Sequence, residues 1–172
     1  GSPLCAVSLA LADAAMTPLV GVVRVLPVGE TFAAVYGAGA TLDGEPIQVG
    51  TKTALNQCVV ASGFPYDKAT DPDNNVARWS AFVTRTRGVR RMGTAATDLC
   101  YVAAGRFDGY WESKLHPWDC LAGGLLVREA GGLVTDYAGD ESGHIFAEGR
   151  LIAANPSVHP LIKSVINEVD GG

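Results

Sequence analysis

Residues 117–132 read P-W-D-C-L-A-G-G-L-L-V-R-E-A-G-G, an apolar helical stripe with two adjacent glycines at its centre. Trp118, Leu121, Ala122, Leu125 and Leu126 recur at i, i+3, i+4, i+7 and i+8, the rhythm of a helix with one buried face. Pro117 suits the first helical position, and Gly131 with Gly132 suits the stop. A glycine inside a helix costs about 1 kcal/mol relative to alanine, so Gly123 and Gly124 imply that another element packs there at backbone distance. The period leaves open whether that element is a strand or a helix. Asp119 falls in the first turn, by the positive end of the helix dipole, where a carboxylate can hold a cation or simply cap the helix.

A chain of 172 residues with 48% hydrophobic and 18% charged content buries a proper core in one domain or two small ones. Its net charge of -5 argues against nonspecific nucleic-acid binding, and an anionic substrate needs a bound cation or a local basic patch to offset repulsion. Cys5, Cys58, Cys100 and Cys120 lie among apolar neighbours without C-x-x-C spacing. Buried, reduced thiols are expected rather than a zinc site or disulfides, which points to a cytoplasmic protein. No apolar run approaches the roughly 20 residues that cross a bilayer, and the first residues do not read as a secretion signal.

Short Val-, Leu- and Ala-rich segments at 6–12, 19–26 and 31–36 are separated by Pro18, Pro27 and Gly29 and are expected to form antiparallel strands. Asp43-Gly44 marks a turn, with Gln48-Val49 expected as a further short strand. From Thr51 onward strands and helices alternate. Strands are expected at 58–62, 108–112, 133–137 and 151–154. A helix follows the polar loop around Asp71, Asp73 and Asn75 and ends near Thr86, and another runs from Thr94 to Gly105. A last amphipathic helix is striped by Val158, Leu161, Ile162, Val165, Ile166 and Val169. Two segments are expected: 1–50 as strands of an antiparallel sheet, and 51–172 as a smaller α/β domain.

Gly93-Thr94-Ala95-Ala96, then Tyr110-Trp111-Glu112, then Trp118-Asp119 within the run 117–132 have the order and spacing that resemble the C-terminal part of the inositol monophosphatase family, its bacterial branch most. The resemblance covers essentially the whole chain but only the latter part of the family's fold, a layered αβαβα sugar-phosphatase sandwich. It implies magnesium-dependent hydrolysis of a small phosphate monoester, inositol monophosphate first. Histidinol phosphate, fructose bisphosphate and nucleotide bisphosphates are the alternative substrates. By the same resemblance Gly93, Thr94 and Ala95 line the substrate pocket, Glu112 accepts hydrogen bonds from the polyol and Asp119 ligates Mg2+. The family's other metal ligands, a glutamate and an aspartate-proline-x-aspartate-glycine-threonine motif, are expected upstream of Gly1, since Asp13, Asp67 and Asp71 do not stand in that motif's context. The chain then reads as a piece of a longer protein that carries those ligands, in preference to a natural truncation that lacks most of the metal site, and in either case this segment alone is expected to be inactive. A homodimer is implied as well.

Each of these residues also has a plainer role open to it. Thr94 suits a helix N-cap, Glu112 a solvated strand end, and Asp98 a compensating charge in the first turn of its helix. Arg85, Arg87, Arg90 and Arg91 form a basic cluster that reads as a solvated helix end and turn. The same cluster supports a rival of a different class, a noncatalytic module that binds RNA or protein. His116, His144 and His159 share no metal-ligand spacing, and His116 is expected in a loop.

Overall fold

The computed structural model describes residues 3–171. Gly1 and Ser2, whose sequence fits either a cloning scar or the family's Gly-x-Pro, lie with Gly172 outside the described residues. Five strands, β1 (Ala6–Ala12), β2 (Pro18–Val25), β3 (Glu30–Val35), β4 (Gly39–Leu42) and β5 (Glu45–Pro46), form an antiparallel sheet in sequence order. The β4–β5 hairpin turns through Asp43 and Gly44, both at positive φ (51° and 90°), the conformation that matches strand twist in a two-residue loop. The extra strand expected at Gln48-Val49 is instead Glu45–Pro46. Beyond Ile47 the chain leaves the sheet, and the Val49 N–H bonds to the Ala130 carbonyl (3.0 Å).

The second sheet contains β6 (Val59–Ser62), β7 (Gly88–Arg90), β8 (Gly109–Glu112), β9 (Leu133–Thr135) and β10 (Leu151–Ala154) in the order β7-β6-β8-β10-β9. It is mixed: β6 runs parallel to β7 and β8, while β10 is antiparallel to β8 and β9. The helices are α1 (Val76–Arg85), α2 (Ala95–Ala103), α3 (Pro117–Glu129), α4 (His144–Glu148) and α5 (His159–Asp170). Three elements escape the sequence pattern. β4 and β7, of four and three residues, lack the apolar run that marks the equally short β6, β9 and β10, and α4 has five residues, too few to show a helical period.

Helices α2 and α3 lie between the sheets, where Val23, Phe32, Leu99, Ala122, Leu125 and Phe146 share one core. Helices α1 and α5 cover the far face of the second sheet, joining Phe82, Trp111, Ile152 and Ile162. The order of layers is sheet, helices, sheet, helices, a mixed α/β sandwich with four of the five layers of the expected αβαβα arrangement among the described residues. The other face of the first sheet carries Val7, Leu9, Leu11 and Val35, all exposed.

The close approach implied by Gly123 and Gly124 is to helices. A Cβ on Gly123 would stand 2.6 Å from Leu99 Cβ on α2, and one on Gly124 would overlap the Phe146 ring on α4. The strand contact comes from the opposite direction: Gly21 of β2 admits the α3 backbone, where an added Cβ would sit 2.9 Å from the Ala122 carbonyl oxygen. Two expectations of burial fail. Trp118, counted in the buried stripe, is 67% exposed and stacks on His116 with centroids 4.5 Å apart, because in the first turn of α3 it lines the open cleft rather than the core. Cys5 is exposed ahead of β1, whereas Cys58, Cys100 and Cys120 are free and buried.

Candidate functional site

The C-terminal end of β6, the turn before α2, the end of β8 and the start of α3 open on one cleft of about 380 Å³. Its size falls within the range of small-molecule sites. Gly93, Thr94, Ala95, Glu112 and Asp119 all line it, so the three stretches singled out in the sequence converge. Two other depressions, beside Arg78 and beside Gln48, bring together none of these residues.

Gly93 adopts a φ of 92°, which turns the chain sharply into α2. Thr94 takes the N-cap position with extended backbone (φ -145°, ψ 112°), and its side chain makes no capping bond. The Thr94 carbonyl accepts the N–H groups of Thr97 and Asp98, each at 3.1 Å, which leaves the N–H groups of Ala95 and Ala96 at the helix start without an intrahelical acceptor. Such a helix start favours an anionic oxygen.

Asp119 is half-buried in the first turn of α3. One of its oxygens accepts the His116 backbone N–H at 2.9 Å, so the carboxylate does cap the helix, and the other oxygen has no hydrogen-bond donor among the described residues. His116, expected as a loop residue, is the N-cap of α3 and lines the cleft.

Glu112 is not a solvated strand end. It is half-buried at the end of β8, and the fully buried Tyr110 donates its hydroxyl to Glu112 Oε2. Burial pushes the Glu112 carboxyl up from 4.5 to about 7, against the pull of the Tyr110 bond and of Arg91. Asp98 is only 2% exposed, and its Oδ1 has no hydrogen-bond partner among the described residues. Burial first, then repulsion from Glu112, raises its carboxyl from 3.8 to about 8. Asp98 is thus more than a dipole-compensating acid: it belongs to the wall of the cleft.

Several wall residues carried no signal in the sequence. Ser8 reaches the cleft from β1, and Gly63, Phe64, Pro65 and Tyr66 follow β6. That loop is fixed from beneath by Asn75, which sits at a φ of 67° and is buried. Asn75 Nδ2 donates to Ser62 Oγ (2.8 Å) and to the Gly63 carbonyl (2.6 Å), while Asn75 Oδ1 accepts the Trp111 indole N–H (2.8 Å). Lys114 anchors the outside of the loop through Asp67 and Asp71, each at 2.9 Å.

The basic cluster divides. Arg85 pairs with Glu168 on α5 (3.0 Å), Arg87 and Arg90 are exposed beside or on the edge strand β7, and Arg91 lines the cleft with its guanidinium 5.4 Å from the Phe64 ring centre. Of the other histidines, His144 opens α4, and His159 is buried with its ring 3.1 Å from the Thr135 hydroxyl.

Over residues 1–170 the chain matches the inositol monophosphatase family. It is 45% identical over 142 residues to the inositol-1-monophosphatase of Synechocystis sp., covering 83% of this chain and 49% of that protein. It is 40% identical to the Nus factor SuhB of Pasteurella multocida over 169 residues, 98% of this chain and 61% of that protein. Among solved structures, inositol monophosphatase from Anabaena (Nostoc) superposes with a TM-score of 0.85 at 41% identity, over 89% of this chain and 60% of the other. The suhB extragenic suppressor protein of Bartonella henselae does so at 0.88 and 37%, over 96% and 62%. This chain therefore spans about half to three-fifths of the length of the relatives it matches, and with a family match along nearly all its residues and the same fold, it belongs to the inositol monophosphatase family.

Proposed function

We propose that the chain is the substrate-recognising part of a magnesium-dependent phosphatase that hydrolyses a small phosphorylated polyol, inositol monophosphate before histidinol phosphate, fructose bisphosphate or a nucleotide bisphosphate. The observation that carries this is the meeting of the α2 N-terminus, Glu112 and Asp119 in one cleft. Free N–H groups at the start of α2 suit phosphate oxygens, and a fixed carboxyl such as Glu112 suits the hydroxyl groups of a polyol.

The described residues do not by themselves fit a magnesium site. Asp119 offers one oxygen beyond its helix cap, and the described residues contain no group of three or more His, Cys, Asp or Glu side chains able to hold a metal. Magnesium requires near-octahedral oxygen coordination, so the remaining donors are assigned to residues outside this chain, in keeping with the greater length of its relatives.

The test uses the natural full-length product with Mg2+ and inositol 1-phosphate. Asp119→Asn is expected to lower kcat by about 100-fold or more, the scale of losing one aligned charge in an active site. Activity that survives the substitution sinks the ligand role.

A second reading has its own support. Relatives of up to 98% coverage of this chain bear the name Nus factor SuhB, and Arg87 and Arg90 present charge at an open sheet edge. Salt-sensitive binding to RNA or protein, without phosphate release, would favour a noncatalytic module. A homodimer is part of either reading, and light scattering coupled to size exclusion measures it.

A further inference from the structure

The Glu112 carboxylate occupies the space that a side chain on Gly63 would fill. A Cβ built on Gly63 overlaps Glu112 Cδ and both carboxylate oxygens, a closer approach than real Cβ atoms make. From the other side the buried Tyr110 hydroxyl donates to Glu112 Oε2. Gly63 is itself held in place, since its carbonyl accepts Asn75 Nδ2 at 2.6 Å and the same Asn75 binds the Trp111 indole next to Glu112. The carboxylate is clamped between a phenol on its own strand and a bare stretch of backbone on the neighbouring strand's loop. Oε2 carries the Tyr110 bond, and Oε1, packed closest to Gly63, has no hydrogen-bond donor among the described residues.

We propose that Gly63 and Tyr110 are positioning residues that act through Glu112: Gly63 leaves the room and Tyr110 fixes the orientation that let Glu112 select a polyol over other phosphate esters. This rests on the assignment of Glu112 as the polyol acceptor. The carboxylate is the far end of a flexible side chain, so a methyl group at position 63 can displace it without displacing backbone. Gly63→Ala should therefore alter selectivity while the fold survives.

The experiment measures kcat/KM of the full-length, magnesium-loaded enzyme for inositol 1-phosphate and for p-nitrophenyl phosphate, which has no polyol. The ratio of the two is expected to fall about 10- to 100-fold in Gly63→Ala, in Tyr110→Phe and in Glu112→Gln, the scale of a hydrogen bond to a charged group. Because Gly63 acts through Glu112, the double variant Gly63→Ala/Glu112→Gln should fall no further than Glu112→Gln alone, with thermal melting of Gly63→Ala close to the parent. Equal losses on both substrates, or losses that multiply in the double variant, overturn the positioning role. A changed ratio in Glu112→Gln with none in Gly63→Ala overturns it too and leaves the Glu112 assignment standing. An unchanged ratio in Glu112→Gln overturns that assignment instead.

Discussion

A buried carboxyl that keeps its proton at neutral pH is a stability term as well as a feature of the site. Asp98 titrates near 8 in the folded chain against an ordinary 3.8, so between those values the folded state holds a proton that the unfolded chain has released. The folded state then binds more protons, and stability falls as pH rises through that window. Asp98→Asn, which is neutral at every pH, should flatten the decline, leaving the variant more stable than the parent at pH 8 by roughly 1–3 kcal/mol and close to it at pH 4. Thermal melts of the two proteins across pH 4–8 measure this, and parallel curves would refute it. Burial pushes Glu112 the same way, to about 7, so some slope should remain in the variant.

At the scale of elements, contact between α3 and the first sheet depends on the absence of one side chain. An added Cβ on Gly21 meets the Ala122 backbone, with oxygen at 2.9 Å and Cα at 3.0 Å, and neither atom can rotate away. Gly21→Ala should force β2 and α3 apart and cost about 1–3 kcal/mol, the usual scale of overpacking, read as a lower urea midpoint. The far end of the molecule is held by charge. Arg78 of α1 is buried and forms a forked pair with Asp170 at the end of α5 (2.8 and 2.9 Å) while also binding Asp73 (2.6 Å). Arg150 reaches the same Asp73 at 2.5 Å, and both guanidiniums lie 5.3 Å from the Tyr137 ring centre. Arg78→Ala should leave Asp170 unpaired and free the C-terminal end of α5. A loss of about 2 kcal/mol is expected, below that of a fully buried pair because both carboxylates are partly solvated, together with faster amide exchange in α5 than in α3.

Seen whole, the described residues form a stack of four layers, and among them nothing covers the outer apolar face of the first sheet. Val7, Leu9, Leu11 and Val35 stand 48–64% exposed on the outer side of the first sheet, and β1, which carries three of them, is one of its two edge strands. Contiguous exposed apolar surface beside an unpaired strand edge drives association. The chain prepared by itself should therefore self-associate at micromolar concentration, and replacing Leu9 and Leu11 by Thr should reduce this without lowering the melting temperature, as light scattering and thermal melts would report. Much of this architecture is written in local pattern. The stripe Leu121, Ala122, Leu125, Leu126, the stops at Gly105 and Gly131 and the Asp43-Gly44 turn mark elements because period and backbone preference act over a few residues. Asp119, Glu112 and the Gly93 turn are legible for a different reason: their order and spacing carry ancestry. What the sequence could not show is which distant residues would meet them. The overlap of Gly63 with Glu112, the reach of Asn75 to Trp111 and the burial of Asp98 link positions far apart in the chain. Trp118 makes the same point in reverse, since it keeps the rhythm of a buried face yet lies beyond the core it was counted in. The sequence by itself determined the longer elements, the layered class and the family, because periodicity, turn chemistry and motif order are local, while β4, β7 and α4 left no such mark. Only the tertiary structure decided the shape and charge of the cleft, because burial and close approach are properties of space between segments.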